Sequence, residues 1–600
     1  MGIIKVYPKG DIIEYTEGKN LLDILQENNI IMESPCGGKG TCGKCKIKVL
    51  SGDLNEVTRE EIKHLGEDVN KGLRLSCLVY PKGNIEVELL EKKPIKHKIL
   101  SDGYMPNFDV NPVIKKQVVK LEKPSLENNI SYEELLEESL QCKVNVENPV
   151  FLKFLSESYK YDEATVVYSD EKVIGIEGGD TSKNVYGAAI DIGTTTVVLS
   201  LIDLNTGKEI ASETCINPQK EYGLDVLSRI EFVKRRENGL EILHKTIVDG
   251  LNNLLNNLCK ENNIDHSNVY EFSIGANATM MHLLLGIDTY AIGKAPYATV
   301  FSREKYIDAR EIGLNGSEFA KLYCLPGVSS YIGADIVAGA VVADLKKTKE
   351  NVLFIDIGTN GEIILSKKGE LTSCSCAAGP ALEGANISCG MRAAEGAIEG
   401  IQIKETVVDT QVIGDKEPIG ICGSGILEAI SEIWANKIMS KSGRLKKKSD
   451  LEEEGRHEIA ERIIEEDKKR KFTILKGDNP IVITQEDIRQ VQLAKGAISS
   501  GFYALLDLMD ITMDDLDRVV IAGQFGKHLK VDSLTGVGII PAALKDKIDY
   551  VGNSSKTGAL MCLLSKETRK DMECVAKDIR YFELSTKEGY EKLFTKCLSF

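Results

Sequence analysis

One short run occurs twice. Ala188-Ala189-Ile190-Asp191-Ile192-Gly193-Thr194-Thr195-Thr196 returns as Phe354-Ile355-Asp356-Ile357-Gly358-Thr359-Asn360. Each copy reads as an apolar strand, a carboxylate, a glycine turn, then hydroxyl or amide groups leading into a return strand. A lone Asp-x-Gly-Thr hairpin says little, because tight turns commonly use these residues. Recurrence of the Ile-Asp-Ile-Gly-Thr core with apolar flanks is different: it marks a duplicated unit. The turns offer backbone N–H groups and Thr hydroxyls to a phosphate. Each Asp suits hydrated Mg²⁺, which takes one or two carboxylates plus phosphates. Two such hairpins facing one cleft grip a nucleoside triphosphate from both sides.

The flanks extend the pattern. After the first hairpin, Val197 to Asp203 continues as a strand, Asn205-Thr206-Gly207-Lys208 turns, and Glu209 to Thr214 returns. This meander resembles the opening of each lobe in the superfamily of sugar kinases, heat-shock chaperone ATPases and actin. Helices are expected over 223–235 and 239–259, then a strand Glu271 to Ile274, with Asn277 capping the helix that holds His282. That histidine reads as a core residue. Ile336 to Asp344 is a small-residue helix, and its Gly339 and Ala340 permit the close packing a hinge requires. In the resembled superfamily, the strand and turn Val519 to Gly526 would carry the adenosine, so Gly523, Gln524 and Gly526 are candidates for its wall; Val551 to Ser555 is placed to close the same pocket. No Walker A spacing is present.

Four cysteines near the N-terminus carry a second signal. Cys36, Cys42 and Cys45 stand in a C-x5-C-x2-C loop, and Cys77 follows later. A 2Fe–2S cluster takes four thiolates, and the plant-type spacing is C-x4-C-x2-C…C. The first gap here is one residue longer and matches the other common ferredoxin spacing. Glycines at 37, 38, 40 and 43 let such a loop wrap a cluster and free N–H groups for its sulfurs. Zinc sites usually come as paired C-x2-C units, which this isolated fourth cysteine does not supply. Strands over Ile3–Tyr7, Ile12–Tyr15, Lys46–Leu50 and Asn84–Leu89 and a helix capped by Asn20 resemble a ferredoxin β-grasp domain.

Composition narrows the remainder. The chain has 600 residues, enough for several domains. Its formal net charge of −16 argues against a nucleic-acid partner. The basic run Lys446 to Lys448 is followed by Glu452 to Glu454 and reads as solvated surface within a charged, helical insertion over 441–471. There is no stretch of eighteen apolar residues, hence no membrane partner is expected. Fifteen cysteines, an odd count, fit a reducing cytoplasm rather than a disulfide framework; Cys142 is expected to be buried. Cys374, Cys376, Cys389 and Cys422 lack any recurring C-x2-C, and Pro380 is placed to open a helix whose N-terminus would meet an anion.

The expected fold is multidomain α/β and α+β. A β-grasp 2Fe–2S domain occupies 1–90, a linker 91–115, and a small α/β domain 116–183. A duplicated ribonuclease-H-like, actin-like ATPase domain fills 184–600, with lobes at about 184–350 and 351–600. In this combination the chain resembles the reductive activators of corrinoid proteins. The resemblance implies ATP-dependent, one-electron reduction of Co(II) corrinoid to Co(I), with a 2Fe–2S cluster, ATP and Mg as cofactors. The implied partners are a corrinoid iron–sulfur protein or a methyltransferase corrinoid subunit, and a low-potential electron donor; a homodimer is left open. Cys36, Cys42, Cys45 and Cys77 would hold the cluster. Asp191 and Asp356 would orient Mg²⁺ and the attacking water, with Glu362 a weaker candidate to activate it. Gly193, Thr194, Thr195, Gly358, Thr359 and Asn360 would contact phosphates. A loop over Ser373–Gly379 would face the corrinoid through Ser373, Ser375 or Cys376. The alternatives are an electron donor of the 2-hydroxyacyl-CoA dehydratase activator type, a small-molecule kinase with an attached redox domain, and an ATP-gated binding module whose cluster is only structural.

Overall fold

The computed structural model describes every residue except 1, 29, 31, 33, 35, 37, 41, 91–103, 145–147, 385, 467–468 and 524–528. The N-terminal unit is a five-stranded sheet. Gly2–Tyr7 pairs antiparallel with Asp11–Tyr15 and parallel with Pro81–Leu89. Lys46–Leu54 joins Pro81–Leu89 to the edge strand Leu73–Leu75. The expected helix is Leu21–Glu27, and Asn20 accepts from the Asp23 N–H. Its Leu21, Leu22, Ile24 and Leu25 close the small core under the sheet. A second helix, Arg59–Leu65, has no apolar stripe to betray it; a Thr58–Glu61 capping box starts it.

Ile114–Lys120, Glu163–Ser169 and Lys172–Gly178 form a three-stranded antiparallel sheet. Helices Tyr132–Leu140 and Pro149–Ser158 share a core with it. Cys142 is exposed, contrary to expectation, because it follows the end of the first of these helices. Residues 91–103 of the expected linker lie outside the described residues. The stretch after them is held down: the Tyr104 N–H donates to Val551 O at 2.8 Å and the Asn111 N–H to Leu564 O at 2.7 Å.

The duplication is visible in strand order. In the first large sheet Glu209–Ile216, Thr196–Asp203 and Tyr186–Ile192 form the meander, followed by the parallel strands Val269–Ala276 and Lys321–Cys324 and the edge strand Lys305–Asp308. In the second, Glu370–Cys376, Gly361–Lys367 and Asn351–Ile357 form the meander, followed by Arg518–Ala522 and Ile548–Gly552; Arg580–Tyr581 pairs with the outer meander strand. The helices Ala334–Val342 and Ser554–Leu564 pack between the lobes. Phe354 lies so close to Gly339 that a Cβ there would stand 2.3 Å from its ring. His282 is a satisfied core residue: its Nδ1 meets Ala278 O at 2.7 Å, its Nε2 accepts from Val300 N–H at 3.1 Å, and its ring stacks on Phe301.

Two expected elements differ. The region 441–471 is not a helical insertion alone. Short helices Lys448–Glu453 and His457–Ala460 precede a three-stranded sheet, Ile463–Glu466, Lys469–Leu475 and Ile481–Thr484, because Leu451, Ile459, Ile463, Phe472 and Ile474 reach the second core. Pro380 opens a single 3₁₀ turn, Pro380–Glu383, which Gly384 ends at φ +83°. Among the described residues, no helix is long and apolar enough to cross a membrane.

Candidate functional site

The two repeated hairpins meet across one cavity of about 210 Å³ between the lobes. Asp191, Gly193, Thr194 and Thr195 line it from one side and Asp356, Gly358, Thr359 and Asn360 from the other. Both turns are closed by their own backbone: Gly193 N–H to Thr196 O at 2.9 Å, and Gly358 N–H to Asn360 O at 3.0 Å. The Asp side chains point inward because each ends a strand whose neighbouring positions, Ile190 and Ile192 or Ile355 and Ile357, are buried in the core.

Carboxylates dominate the electrostatics. Burial pushes Asp191 up from the usual range, and hydrogen bonds from Ser555 and Asn553 pull it back; the Asn553 amide donates to Oδ2 at 2.8 Å. Asp356 is pushed up to about 7 by burial and by Asp191. Asp335 is pushed up to about 7 by burial and then by Asp356 and Asp191. Glu362, opposite Asp356 in the strand pair, is raised well above its ordinary value by burial, Asp335 and Asp356. It faces the cleft rather than the solvated side of its strand. Four acids sharing one cavity resist simultaneous ionisation unless a cation joins them. That is a fit for Mg²⁺ bound through carboxylates and phosphate oxygens.

Of the residues expected to form an adenosine wall, Gly523 is described. Gln524 and Gly526 lie outside the described residues. Gly523 follows the strand Arg518–Ala522 with φ +101°. A Cβ there would stand 2.8 Å from Ile357 O and 2.9 Å from Asp356 Oδ1, so only glycine leaves that edge of the cavity open. Asn553, Ser554 and Ser555 complete the same rim.

Several lining groups were not singled out from sequence. Asp335 sits in the first turn of the Ala334–Val342 helix; the signal is an acid inside an otherwise small and apolar stretch. Glu383 accepts from Thr195 Oγ1 at 3.0 Å and from Thr359 Oγ1 at 2.6 Å, so one carboxylate spans both copies of the motif. Arg392 lines the cavity and is lowered by burial, with Glu383 acting against that shift. Behind the first hairpin the fully buried Arg229 donates to Thr194 O, to Gly223 O at 3.0 Å and to Gln219 Oε1 at 3.2 Å. Asn217 donates to Gly193 O at 2.8 Å.

The loop expected over Ser373–Gly379 is a strand as far as Cys376. Ser373, Ser375 and Cys376 lie in the meander strand Glu370–Cys376, paired on one side with Gly361–Lys367 and on the other with Arg580–Tyr581. Ser373 and Cys376 are buried, and the Cys376 thiol donates to Gly361 O at 3.0 Å. Their small size serves sheet packing, and in this conformation neither presents a surface.

At the N-terminal unit the cysteines meet two by two. Cys42 and Cys36 sulfurs are 3.3 Å apart, and Cys45 and Cys77 sulfurs 3.2 Å apart. Among the described residues, no three metal-ligating side chains close on one point. Two thiols per metal is the arrangement of a dinuclear cluster. The unit touches the first lobe through Ser34 Oγ, which donates to Glu221 O at 2.8 Å, and through an Asp23–Arg236 ion pair at 2.8 Å.

Comparisons with known proteins agree with this layout. Residues 4–82 match the 2Fe–2S iron–sulfur cluster binding domain, 186–348 the RACo middle region, and 350–600 the C-terminal domain of RACo, the ASKHA domain. A solved structure titled reductive activator for corrinoid, iron–sulfur protein aligns over 100% of this chain and 98% of its own, with TM-score 0.72 and 32% identity. The corrinoid activation enzyme RamQ of Eubacterium limosum is 29% identical over 97% of this chain and 96% of its own. A [Co(II) methylated amine-specific corrinoid protein] reductase of Methanosarcina barkeri is 25% identical over 69% of this chain and 77% of its own.

Proposed function

The chain belongs to the family of reductive activators of corrinoid proteins, and from that premise we propose that it passes one electron from an N-terminal 2Fe–2S cluster to the Co(II) corrinoid of a partner protein, giving Co(I), with ATP driving the step. The observation that carries the reading is the meeting of both Ile-Asp-Ile-Gly-Thr copies on one acid-lined cavity, in a chain whose N-terminal cysteines pair two by two.

Cys36 and Cys42 would hold one iron and Cys45 and Cys77 the other. The cluster, when bound, supplies one electron at a time. In the cleft, Asp191 and Asp356 orient Mg²⁺ and the attacking water, and Glu362 stands beside Asp356 to take its proton. Gly193, Thr194, Thr195, Gly358, Thr359 and Asn360 offer backbone and side-chain groups to the phosphates, and the adenosine lies against Gly523. Domain limits of 1–90, 116–183 and 184–600 go with this assignment.

Co(I) is strongly reducing, so delivery from a 2Fe–2S centre runs uphill. For one electron, each adverse ~59 mV costs about a factor of ten. ATP need not touch cobalt to help. It favours a lobe arrangement that grips the Co(II) partner in a state easier to reduce, and only its differential affinity for the two arrangements counts. The partner would be a corrinoid iron–sulfur protein or the corrinoid subunit of a methyltransferase, and a separate low-potential donor would reload the cluster.

The test is anaerobic. Reduced protein is mixed with candidate corrinoid proteins, with and without ATP-Mg²⁺, and Co(I) is followed by absorbance. Co(I) that appears only with ATP supports the reading. Equal yields without ATP remove the coupling, and no Co(I) from any corrinoid partner removes the electron transfer. Iron counting with spectroscopy separates the dehydratase-activator reading: two irons per chain with a 2Fe–2S spectrum favour the present one, four per dimer with a cubane spectrum the other.

A further inference from the structure

We propose that Glu383 is an internal stand-in for phosphate, holding the two hairpins together until a nucleotide displaces it. The inference rests on the nucleotide reading of the cleft. Its basis is the position of one carboxylate. Glu383 accepts from Thr195 Oγ1 at 3.0 Å and from Thr359 Oγ1 at 2.6 Å. One hydroxyl comes from each copy of the duplicated motif, though Thr359 corresponds to Thr194 and Thr195 to Asn360, and both are groups that would donate to phosphate oxygens. A carboxylate that accepts from both makes the same contacts, with the same sign of charge, that a phosphate group would make there.

The surroundings fit a displaceable group. The other acids of the cavity, Asp191, Asp335, Asp356, Glu362 and Glu399, already crowd carboxyl groups together, so Glu383 and an incoming triphosphate cannot both stay between the hairpins at low cost. Arg392 is the one cationic side chain among the described lining residues. It is close enough to Glu383 to feel its charge, and is placed to receive either the displaced carboxylate or the phosphate that replaces it. The cavity, about 210 Å³, is smaller than the ~300–1,000 Å³ typical of small-ligand pockets. Displacing Glu383 frees room where it is needed.

The turn that carries Glu383 is wired outward. Pro380–Glu383 is joined to the meander strand Glu370–Cys376 by Ala377, Ala378 and Gly379. On its other side the helix Gly423–Ala435 begins so close that a Cβ on Gly423 would stand 1.9 Å from Leu382 O. That contact has no slack, so the start of the helix follows when the turn moves. Expulsion of Glu383 therefore converts the arrival of ATP into movement of a strand and a helix of the second lobe, the differential contact that a nucleotide needs to shift a conformational equilibrium.

The experiment titrates ATP-Mg²⁺ into the wild-type protein, Glu383→Gln and Glu383→Ala by calorimetry, and follows amide hydrogen exchange at 381–383 and 423–427. Removing the competing carboxylate should tighten binding of ATP-Mg²⁺ by roughly tenfold or more, since a hydrogen-bonded charge no longer has to leave. The Gln variant, which keeps the shape and guards against a folding artefact, should fall between. ATP should raise exchange at these amides in the wild type, and in Glu383→Ala they should exchange fast with or without it. Unchanged or weaker binding in both variants overturns the inference and makes Glu383 a ligand of the nucleotide's magnesium or a fixed tie. A wild type that binds no adenine nucleotide removes the underlying reading, and this inference with it.

Discussion

The two copies of Ile-Asp-Ile-Gly-Thr start from the same residues and end in different surroundings. The first copy is braced. Arg229 and Asn217 hold the carbonyls of Thr194 and Gly193, Asn277 donates to Thr194 Oγ1 at 3.1 Å, and Asn553 holds Asp191. The same stretch of chain, through Glu221 and Arg236, also carries the cysteine-bearing unit. The second copy has Asp356 raised to about 7 by burial and by Asp191, and Asn360 stands exposed. Duplication supplied two turns of the same sequence at one cavity. Side chains behind the first brace it as an anchor, whereas we expect the second to change protonation and contacts as ligand arrives.

The largest test of that division compares the two aspartates. Asp356→Asn should lower ATP-dependent Co(I) formation by about a hundredfold or more, the scale of misplacing the reacting groups. Asp191→Asn keeps an acceptor for the Asn553 amide and should cost about tenfold. Initial rates at saturating ATP-Mg²⁺ measure both. Equal losses would make the copies functionally equivalent and break the comparison.

Bracing is tested next by Arg229→Met. The methionine keeps the bulk of the stem but leaves the carbonyls of Thr194 and Gly223 and the Gln219 amide without a donor inside the core. Hydrogen bonds to charged groups contribute ~1.5–3 kcal/mol, and orphaned buried acceptors add to the loss. Chemical denaturation should show about 3 kcal/mol less stability, and ATP should bind more weakly. Stability within about 0.5 kcal/mol of wild type would mean that the first hairpin does not depend on this brace.

The paired hairpins, the cysteine loop and the strand before Gly523 were legible in sequence because each is a local pattern: a repeat, a ligand spacing, an apolar run meeting glycine. The Asn20 and Asn277 caps were legible for the same reason. Glu383, Asp335 and Arg229 were not, because their roles depend on partners far along the chain. Thr195 and Glu383 are brought together only once both lobes have folded. The misreading of Ser373, Ser375 and Cys376 has the same origin. Small polar residues suggest an open loop, and only pairing with Gly361–Lys367 and Arg580–Tyr581 reveals an interior strand. The helix Arg59–Leu65 escaped because its start is marked by a capping box rather than by periodicity.

The titration of Asp356 and Asp335 gives a smaller effect of definite sign. An aspartate titrates near 3.9 when unfolded, and these two titrate at about 7 in the folded chain. Between those values the folded state binds the extra proton, so stability falls as pH rises and the cost is fully present above 7. Nucleotide-free protein should therefore be more stable at pH 6 than at pH 8, by of order 1 kcal/mol for each group. Asp356→Asn should flatten that slope more than Asp191→Asn, whose hydrogen bonds oppose its shift. ATP-Mg²⁺ binding has the opposite sign, because the cation competes with the proton, and should weaken below pH 7. A slope unaltered in Asp356→Asn would place the titrating acid elsewhere.

The smallest effect concerns the link between the anchor hairpin and the cysteine unit. Arg236 is mostly covered and Asp23 is half open, with 14% and 40% of their side chains exposed, so their ion pair is only partly shielded from water. Such pairs are worth ~0.2–1 kcal/mol. Arg236→Ala should leave ATP affinity unchanged, because the pair does not reach the cleft. It should reduce ATP-driven Co(I) formation by about two- to fivefold at low salt, and the defect should shrink as added salt screens the ion pair of the wild type. The rate measured at two ionic strengths, beside a calorimetric ATP titration, separates the effects. A changed ATP affinity with an unchanged electron-transfer rate would reverse the assignment: the contact would then tune the cleft rather than steady the cysteine unit, and the first hairpin would no longer be a passive anchor.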